Sequence, residues 1–473
     1  VLAFSFPRAV LAVLASFSRH QGARSRVIAP MRSAGAALMP RGRSPRAVSL
    51  AFFIAIGGWQ ASGSSTAKLV LASGESYEFP AVFLRENLKV SIDPSSLQRV
   101  TTNLPANLSV LTAEPKENRT WHLTFSDGAV GDFFLPPAAT APAGGAAAPR
   151  DLDEIPKTLW GGAGEDARSL QTMLDVPADK GGLRFSYESL RPAEGSGARL
   201  PLEAAQVRSK LFEALHRYGL AIVEGAPAEL GVGKKLAEDL VGTVETTVYG
   251  YIFTVKAVKD LINLAYDSTA LQQHTDIPYY QKPPDVQLFA CLREADAGGS
   301  SLWLDGFAAA EALRHEDPEA FAVLTSTLVH HMDITDAWDL RANHPTLELD
   351  PATGAMRRVY FNERTRDSWR QWQPQAGLAN GTDLGFYRAL RVFEALVERR
   401  EWYAETALKA GEVVLFDNRR VMHSRTAFEG ERHMEGCYIH WDAVAATWRA
   451  LQPRVSGRPY EYCGNVVGRG AEL

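Results

Sequence analysis

Between Val244 and Val444 the chain keeps returning to apolar runs four or five residues long. Val286-Gln287-Leu288-Phe289-Ala290, Ser301-Leu302-Trp303-Leu304, Arg358-Val359-Tyr360-Phe361, Val413-Val414-Leu415-Phe416 and Cys437-Tyr438-Ile439-His440 are the clearest. Turn-forming residues separate them. Many short strands of this kind predict a sandwich or jelly roll rather than a helical bundle. Helical stretches intervene at Ala308 to Leu313, Pro318 to Thr327 and Phe386 to Arg399. The fold class therefore reads as mainly β with flanking helices. Just upstream, Val207, Leu211, Leu215 and Tyr218 share one side of a helix over Ala204 to Tyr218. Leu220-Ala221-Ile222-Val223 follows as a buried strand closed by Gly225, and Lys234 to Val241 reads as a further helix.

At 473 residues the chain is too long for one ordinary domain. Five segments are expected: a targeting or disordered segment over residues 1–65, a small β-rich domain over 66–136, a linker and connecting segment over 137–200, the strand-rich domain over 201–455, and a tail over 456–473. The small domain is read from alternating runs such as Trp121-His122-Leu123-Thr124-Phe125 before a Ser-Asp-Gly turn. Pro136 to Arg150 is Ala, Pro and Gly, a linker composition. Asp151 to Leu200 has few periodic runs and is expected to lie over the surface of the next domain.

No acidic residue precedes Glu75, while Arg8, Arg19, Arg24, Arg26, Arg32, Arg41, Arg43 and Arg46 are scattered among Ala and Ser. That composition is typical of an organelle transit peptide, and a mitochondrial destination is favoured over a plastid or the cytoplasm. The chain opens on Val1, which reads as a fragment or a translation begun upstream. Its apolar runs there are short of the ~20 residues a membrane span needs, so no membrane role is expected. A net charge of -5 leaves no broad basic surface for nucleic acid. Cys291, Cys437 and Cys463 are too few and too scattered for a disulfide framework or a CxxC metal site.

The chemistry is carried by two stretches, Gln273-His274-Thr275-Asp276-Ile277-Pro278 and Met422-His423-Ser424-Arg425. Together they offer two histidines and one carboxylate, the ligand set of a non-haem Fe(II) facial triad. His-x-Asp recurs at His331-Met332-Asp333 and His440-Trp441-Asp442. Residues i and i+2 share a face in extended chain, so spacing does not choose among the three copies. Context favours the first, because an irregular Pro- and Tyr-rich stretch and then a strand follow it; His331 reads instead as a strand or surface residue. Arg432, nine residues beyond His423, offers a planar fork suited to a carboxylate. Taken alone it reads as a surface ion pair.

Several ordered stretches are shared with a known family. They are His274-Thr-Asp276-Ile-Pro-Tyr, Gly298-Gly299-Ser-Ser-Leu-Trp-Leu-Asp305-Gly306-Phe307, Phe361-Asn362-Glu-Arg-Thr365-Arg366-Asp367, Gly411-Glu-Val-Val-Leu-Phe416-Asp417-Asn418, Met422-His423-Ser-Arg425 and Arg432-His-Met-Glu-Gly436-Cys-Tyr438-Ile-His-Trp441-Asp442. From roughly Leu69 to Leu451 the chain resembles the γ-butyrobetaine dioxygenase and trimethyllysine dioxygenase family. The resemblance implies a double-stranded β-helix that uses Fe(II), 2-oxoglutarate, O2 and ascorbate. It implies hydroxylation of γ-butyrobetaine to L-carnitine, in carnitine biosynthesis, with succinate and CO2 as co-products. It also implies a tendency to form homodimers. Trimethyllysine or another quaternary amine is the alternative substrate, and a non-catalytic scaffold of the same fold is the alternative of another class.

By the same resemblance, His274, Asp276 and His423 would hold iron and Arg432 would hold 2-oxoglutarate. Tyr249, Phe253, Tyr266 and Tyr438 match an aromatic cage, and Asn263 and Asn362 match residues that bind the substrate carboxylate. A cage suits a trimethylammonium by cation–π attraction, whereas without the resemblance four aromatics read as core. Phe253, Trp303 and Trp441 are expected to keep the site dry. Ile277 and Cys437 stand beside it and are expected to shape the pocket. The family's small domain carries a zinc on three Cys and one His, but the matching stretch here, Phe83 to Ser91, has no cysteine, so no zinc is expected.

Overall fold

The computed structural model describes residues 59–61, 65–70, 76–91, 104–116, 120–134, 151–160, 166–191, 200–256, 268–367, 384–456, 461–462 and 466–467. All fall in the unit Gly57–Leu473. The expected targeting segment, the Ala/Pro/Gly linker, Cys463, Asn263 and Tyr266 lie outside the described residues.

Two sheets place the site. The larger has six strands in the order Arg184–Ser186, Leu220–Glu224, Val413–Asp417, Val286–Arg293, His433–Ile439 and Phe253–Lys256. The smaller has four, in the order Leu271–His274, Val421–Arg425, Ser301–Asp305 and Ala404–Thr406. All pairings are antiparallel except that of Arg184–Ser186 with Leu220–Glu224.

Alternation along these strands decides what faces what. Leu220, Ile222, Val414 and Phe416 join Trp303 and Val421 of the smaller sheet in one buried cluster. Ala221, Val223, Val413 and Leu415 point the other way, into a cluster with Leu211, Leu215, Leu236 and Trp448. Those partners come from the helices Leu202–Tyr218, Val232–Val241 and Trp441–Ser456. The larger sheet thus presents one face to the smaller sheet and the other to helices. Both are apolar because both are buried, which is why its strands read as continuous hydrophobic runs.

The smaller sheet is built the same way. Leu304 and Met422 turn outward onto the helices Gly306–Glu316, Pro318–Ser326 and Leu384–Val397. Asp305 ends its strand and caps the first of these, accepting from Phe307 and Ala308 N–H. It also forms an ion pair with Arg420 at 2.6 Å, both side chains fully buried. This pair and its cap fix the strand-to-helix corner.

Three expectations change. Helices cover the outer faces of both sheets, so the fold is mixed rather than mainly β. Residues 151–191 do not merely lie over the surface. Leu152, Phe185 and Leu190 enter one core cluster, Trp160, Leu170 and Leu174 another, and Arg184–Ser186 adds an edge strand. The irregular spacing of these apolar residues gave no periodic signal. His331 lies on the strand Leu328–Ile334 but is buried, not at the surface.

At the N-terminal end, two three-stranded sheets carry a separate apolar cluster that includes Leu84, Leu88, Trp121, Leu123, Phe125 and Phe133. The cysteine-free stretch Phe83 to Ser91 runs through a short helix and a 3-10 turn. It is held by Leu84 and Leu88 and by Arg85, which donates to Ser91 Oγ at 2.7 Å and pairs with Asp127 at 3.0 Å. Among the described residues no helix is long and apolar enough to cross a membrane.

Candidate active site

Register brings the two distant histidine stretches together. Val421–Arg425 lies between Leu271–His274 and Ser301–Asp305. His423 sits opposite His274 on one side and opposite Trp303 on the other. Val421, two residues earlier, points into the space between the sheets, so His423 does too. Asp276 lies just past the end of its strand, where the chain turns back beneath both rings.

The donor atoms converge. Asp276 Oδ1 is 3.4 Å from His274 Nε2 and 3.7 Å from His423 Nε2. The metal-binding atoms of the three side chains lie within 4.8 Å of one another. His274 Nδ1 is 2.9 Å from the Gln272 carbonyl, so that nitrogen carries the proton and leaves Nε2 a lone pair facing Asp276. His423 lies against Phe416, with ring centroids 4.8 Å apart. Burial, and then His274, hold the His423 ring neutral despite Asp276. Burial opposes the charge on Asp276 itself, but the imidazoles and the Tyr438 hydroxyl outweigh it and keep the carboxyl ionised.

The backbone around Asp276 is fixed from two sides. Its N–H donates to Asn418 Oδ1 at 2.7 Å, and Asn418 Nδ2 donates to the carbonyls of Asp276 and Pro284. Thr275 N–H donates to the Phe361 carbonyl, and Phe361 N–H returns to Thr275 Oγ1. The next residue, Ile277, has φ 57, the only positive φ at a non-glycine among the described residues. A β-branched residue there is strained, and such strain concentrates at functional sites.

Two imidazole nitrogens and one carboxylate oxygen on one side of a gap are a donor set that fits a divalent first-row metal. Of the three His-x-Asp copies, only His274/Asp276 joins a third metal-binding side chain among the described residues. Asp333 instead accepts hydrogen bonds from Tyr249 and Trp338, and His440 approaches Glu245.

A cavity of about 100 Å³ lies between this cluster and Arg432, lined also by Ser301, Trp303 and Arg425. Arg425 donates to the Thr269 carbonyl, whereas no carboxylate among the described residues pairs with Arg432. Burial lowers the Arg432 guanidinium to about 10, which still leaves it cationic at neutral pH. It is therefore not the surface ion pair that the residue alone suggests. A buried guanidinium facing a cavity calls for an anion.

A larger pocket of about 710 Å³ also borders His274 and Asp276. Tyr249, Phe253, Asn362 and Tyr438 all line it. Phe253 stacks on Tyr438 at 5.2 Å, and the Tyr438 hydroxyl donates to Asp276 Oδ2 at 2.8 Å. The Asn362 Oδ1 accepts from Arg364 N–H, and its Nδ2 donates to the Thr275 carbonyl. Ile277 lines the pocket as expected. Cys437 and Trp441 do not; both belong to the cluster on the helical side of the larger sheet, because Tyr438, between Cys437 and Ile439, takes the inward face.

Sequence reasoning gave no role to Asn418, Tyr279 or Asp333. The first two sit inside the shared stretches, but their contacts cross from one strand connection to another. Asp333 stood in a His-x-Asp copy whose histidine turns elsewhere.

The family model described as taurine catabolism dioxygenase TauD, TfdA family matches residues 186–438, more than half of the chain. The chain belongs to this family. Human γ-butyrobetaine dioxygenase is 34% identical over 258 residues, which cover 52% of this chain and 63% of that protein. A dioxygenase of Strobilurus tenacellus is 33% identical over 285 residues, 57% of this chain and 62% of that one. Human mitochondrial trimethyllysine dioxygenase is 31% identical over 263 residues, 53% of this chain and 59% of that protein. The chain thus spans somewhat less than two thirds of the length of these TauD, TfdA relatives.

Proposed function

We propose that this chain is an Fe(II)- and 2-oxoglutarate-dependent dioxygenase that hydroxylates a small quaternary amine, with γ-butyrobetaine the leading substrate and L-carnitine the product. The observation that carries this reading is the meeting of His274 Nε2, His423 Nε2 and Asp276 Oδ1 beside the unpaired, buried Arg432. The six- and four-stranded sheets are read as the two faces of a double-stranded β-helix, with residues 66–136 as its small N-terminal companion.

In this reading His274, Asp276 and His423 hold the iron. When bound, the metal would supply the redox chemistry that couples loss of CO2 from 2-oxoglutarate to oxidation of a C–H bond by O2. The protein's own residues bind, orient and keep water out. Arg432 pairs with the distal carboxylate of 2-oxoglutarate. Tyr249, Phe253 and Tyr438 face a trimethylammonium, to which the ring quadrupoles are attractive. Asn362, with Asn263 and Tyr266, would complete the substrate site. Phe253 and Trp303 line the smaller cavity and exclude water there. Ascorbate as an assay reductant, mitochondrial targeting and a homodimer belong to the same reading.

One observation favours a second substrate. Glu363 and Glu394 line the large pocket paired with Arg366 and Arg391, whereas Glu398 lines it with no ion pair among the described residues, and that carboxylate would suit the α-ammonium of trimethyllysine. A substrate panel with Fe(II) and 2-oxoglutarate, read by product mass, tests both. Mass gain of one oxygen on γ-butyrobetaine supports the first, and on trimethyllysine alone the second. Full succinate production by His274→Ala would remove the metal assignment. Absence of succinate with every substrate would favour a non-catalytic scaffold.

A further inference from the structure

Asp333 stands on the strand Leu328–Ile334 and lines the large pocket. Two neutral donors converge on one of its oxygens. Trp338 Nε1 and the Tyr249 hydroxyl each donate to Oδ2 at 2.9 Å. The Tyr249 hydroxyl is also 2.6 Å from that of Tyr279, and the rings of Tyr249 and Trp338 meet edge-on at 5.7 Å. No Lys or Arg among the described residues forms an ion pair with Asp333.

A carboxylate bound only by an indole and a phenol keeps its net charge. Neutral donors satisfy its lone pairs without supplying a counter-ion. That charge lies at the wall of a partly desolvated cavity, where Coulomb interactions are stronger than in water. Burial, together with Asp333, raises the Tyr249 hydroxyl well above its ordinary range, so it stays protonated and donating. The hydrogen bond in turn fixes which way the Tyr249 ring faces.

We propose that Asp333 is a positioning and specificity residue for the cationic head group of the substrate. It locks the Tyr249 ring, and it supplies the negative field that favours a quaternary ammonium over a neutral group of the same shape. This rests on the cationic-substrate reading above. Aromatic rings give either head group contact area and the charged one a cation–π attraction, and a fixed carboxylate adds a Coulomb attraction that only the charged one receives.

Two probes isolate the charge: γ-butyrobetaine and 5,5-dimethylhexanoate, which differ in nitrogen against carbon at the head. Their affinities would be measured calorimetrically on the full chain, on Asp333→Asn and on Asp333→Glu, with melting temperatures alongside. Asn keeps an acceptor for Tyr249 and Trp338 and removes only the charge. The expected result is a preference for the betaine of about tenfold or more in the unaltered chain. Asp333→Asn should lose most of it through weaker betaine binding, with the neutral probe unchanged, and Asp333→Glu should recover part. A preference retained in Asp333→Asn, or both probes weakened equally, would overturn the proposal. So would an unaltered chain that does not distinguish the probes. The dioxygenase reading is judged separately, by Fe(II) binding and succinate formation, neither of which depends on that preference.

Discussion

The Tyr438 hydroxyl donates to Asp276 Oδ2 at 2.8 Å, while Asp276 Oδ1 faces the two histidines. One carboxylate therefore joins the pocket wall to the candidate metal cluster. Tyr438 also stacks on Phe253, so the same ring that lines the pocket orients a ligand. Partners that hold a metal's ligands are worth ~10–100-fold in metal affinity. Tyr438→Phe should keep the stack and lose the hydrogen bond. Fe(II) affinity is expected to fall about tenfold, read by titration of the metal-free chain. Unchanged affinity would show that Asn418 and the chain turn orient Asp276 without help.

Ile277 sets two effects against each other. Its left-handed backbone costs ~1–2 kcal/mol, which glycine would recover. Its side chain is only 4% exposed and packs with Tyr279 and Tyr438, and that burial is worth about 1.5–3 kcal/mol. Glycine would also free the backbone beside Asp276. Burial wins, so Ile277→Gly should lower the melting temperature and weaken Fe(II) binding. A raised melting temperature would mean that relief of strain outweighs the lost packing.

Gly436 is what lets Phe253 lie across its strand. A Cβ built there would stand 2.1 Å from Phe253 Cζ, with the whole ring edge close behind. Gly436→Ala must push the ring away from Tyr438. Quaternary-amine binding should weaken by about tenfold, with Fe(II) affinity nearly unchanged, since neither imidazole is touched. Calorimetry with γ-butyrobetaine and with Fe(II) separates the two. Equal losses in both would mean that the sheet itself had shifted.

His216 makes the fold sensitive to acid. It lies on the buried face of the helix Leu202–Tyr218, with Nε2 on the Ile155 carbonyl and Nδ1 buried without a partner among the described residues. Burial, and then Lys157, push its pKa from 6.5 down to about 4. The unfolded chain thus takes up the proton first. This contribution is full above about pH 6.5 and declines as the pH falls towards about 4. Over that window it amounts to roughly 2–3 kcal/mol. The buried His331 and His344, also lowered, act in the same direction. The melting temperature should fall between pH 7 and 5, less steeply in His216→Gln. Equal slopes would exclude His216 as the cause.

Local pattern made much of this legible. The helices near residues 204, 234, 308, 318 and 386 and the five main strands follow from periodicity and short apolar runs, which depend only on near neighbours. The ends differ by a few residues, as with Leu202 in place of Ala204, because caps and pairing partners set the ends. Residues 151–191 were not legible as core. Leu152 enters one core cluster and Trp160 and Leu170 another, and no single period runs through the three.

The sequence alone determined the inventory: two histidines, a carboxylate and a guanidinium in stretches shared with a known family, and alternating strands able to carry them inward. Spacing alone could not choose among three His-x-Asp copies, because it is identical in all of them; the irregular stretch after the first was what favoured it. Tertiary structure set the first copy beside a third candidate donor by pairing the His423 strand against the His274 strand. It also turned Asp333 towards Tyr249 and Trp338 and left Arg432 facing a cavity with no counter-ion among the described residues. Such outcomes depend on which surfaces meet across the two sheets, and a linear pattern does not specify the distances between residues remote in the chain.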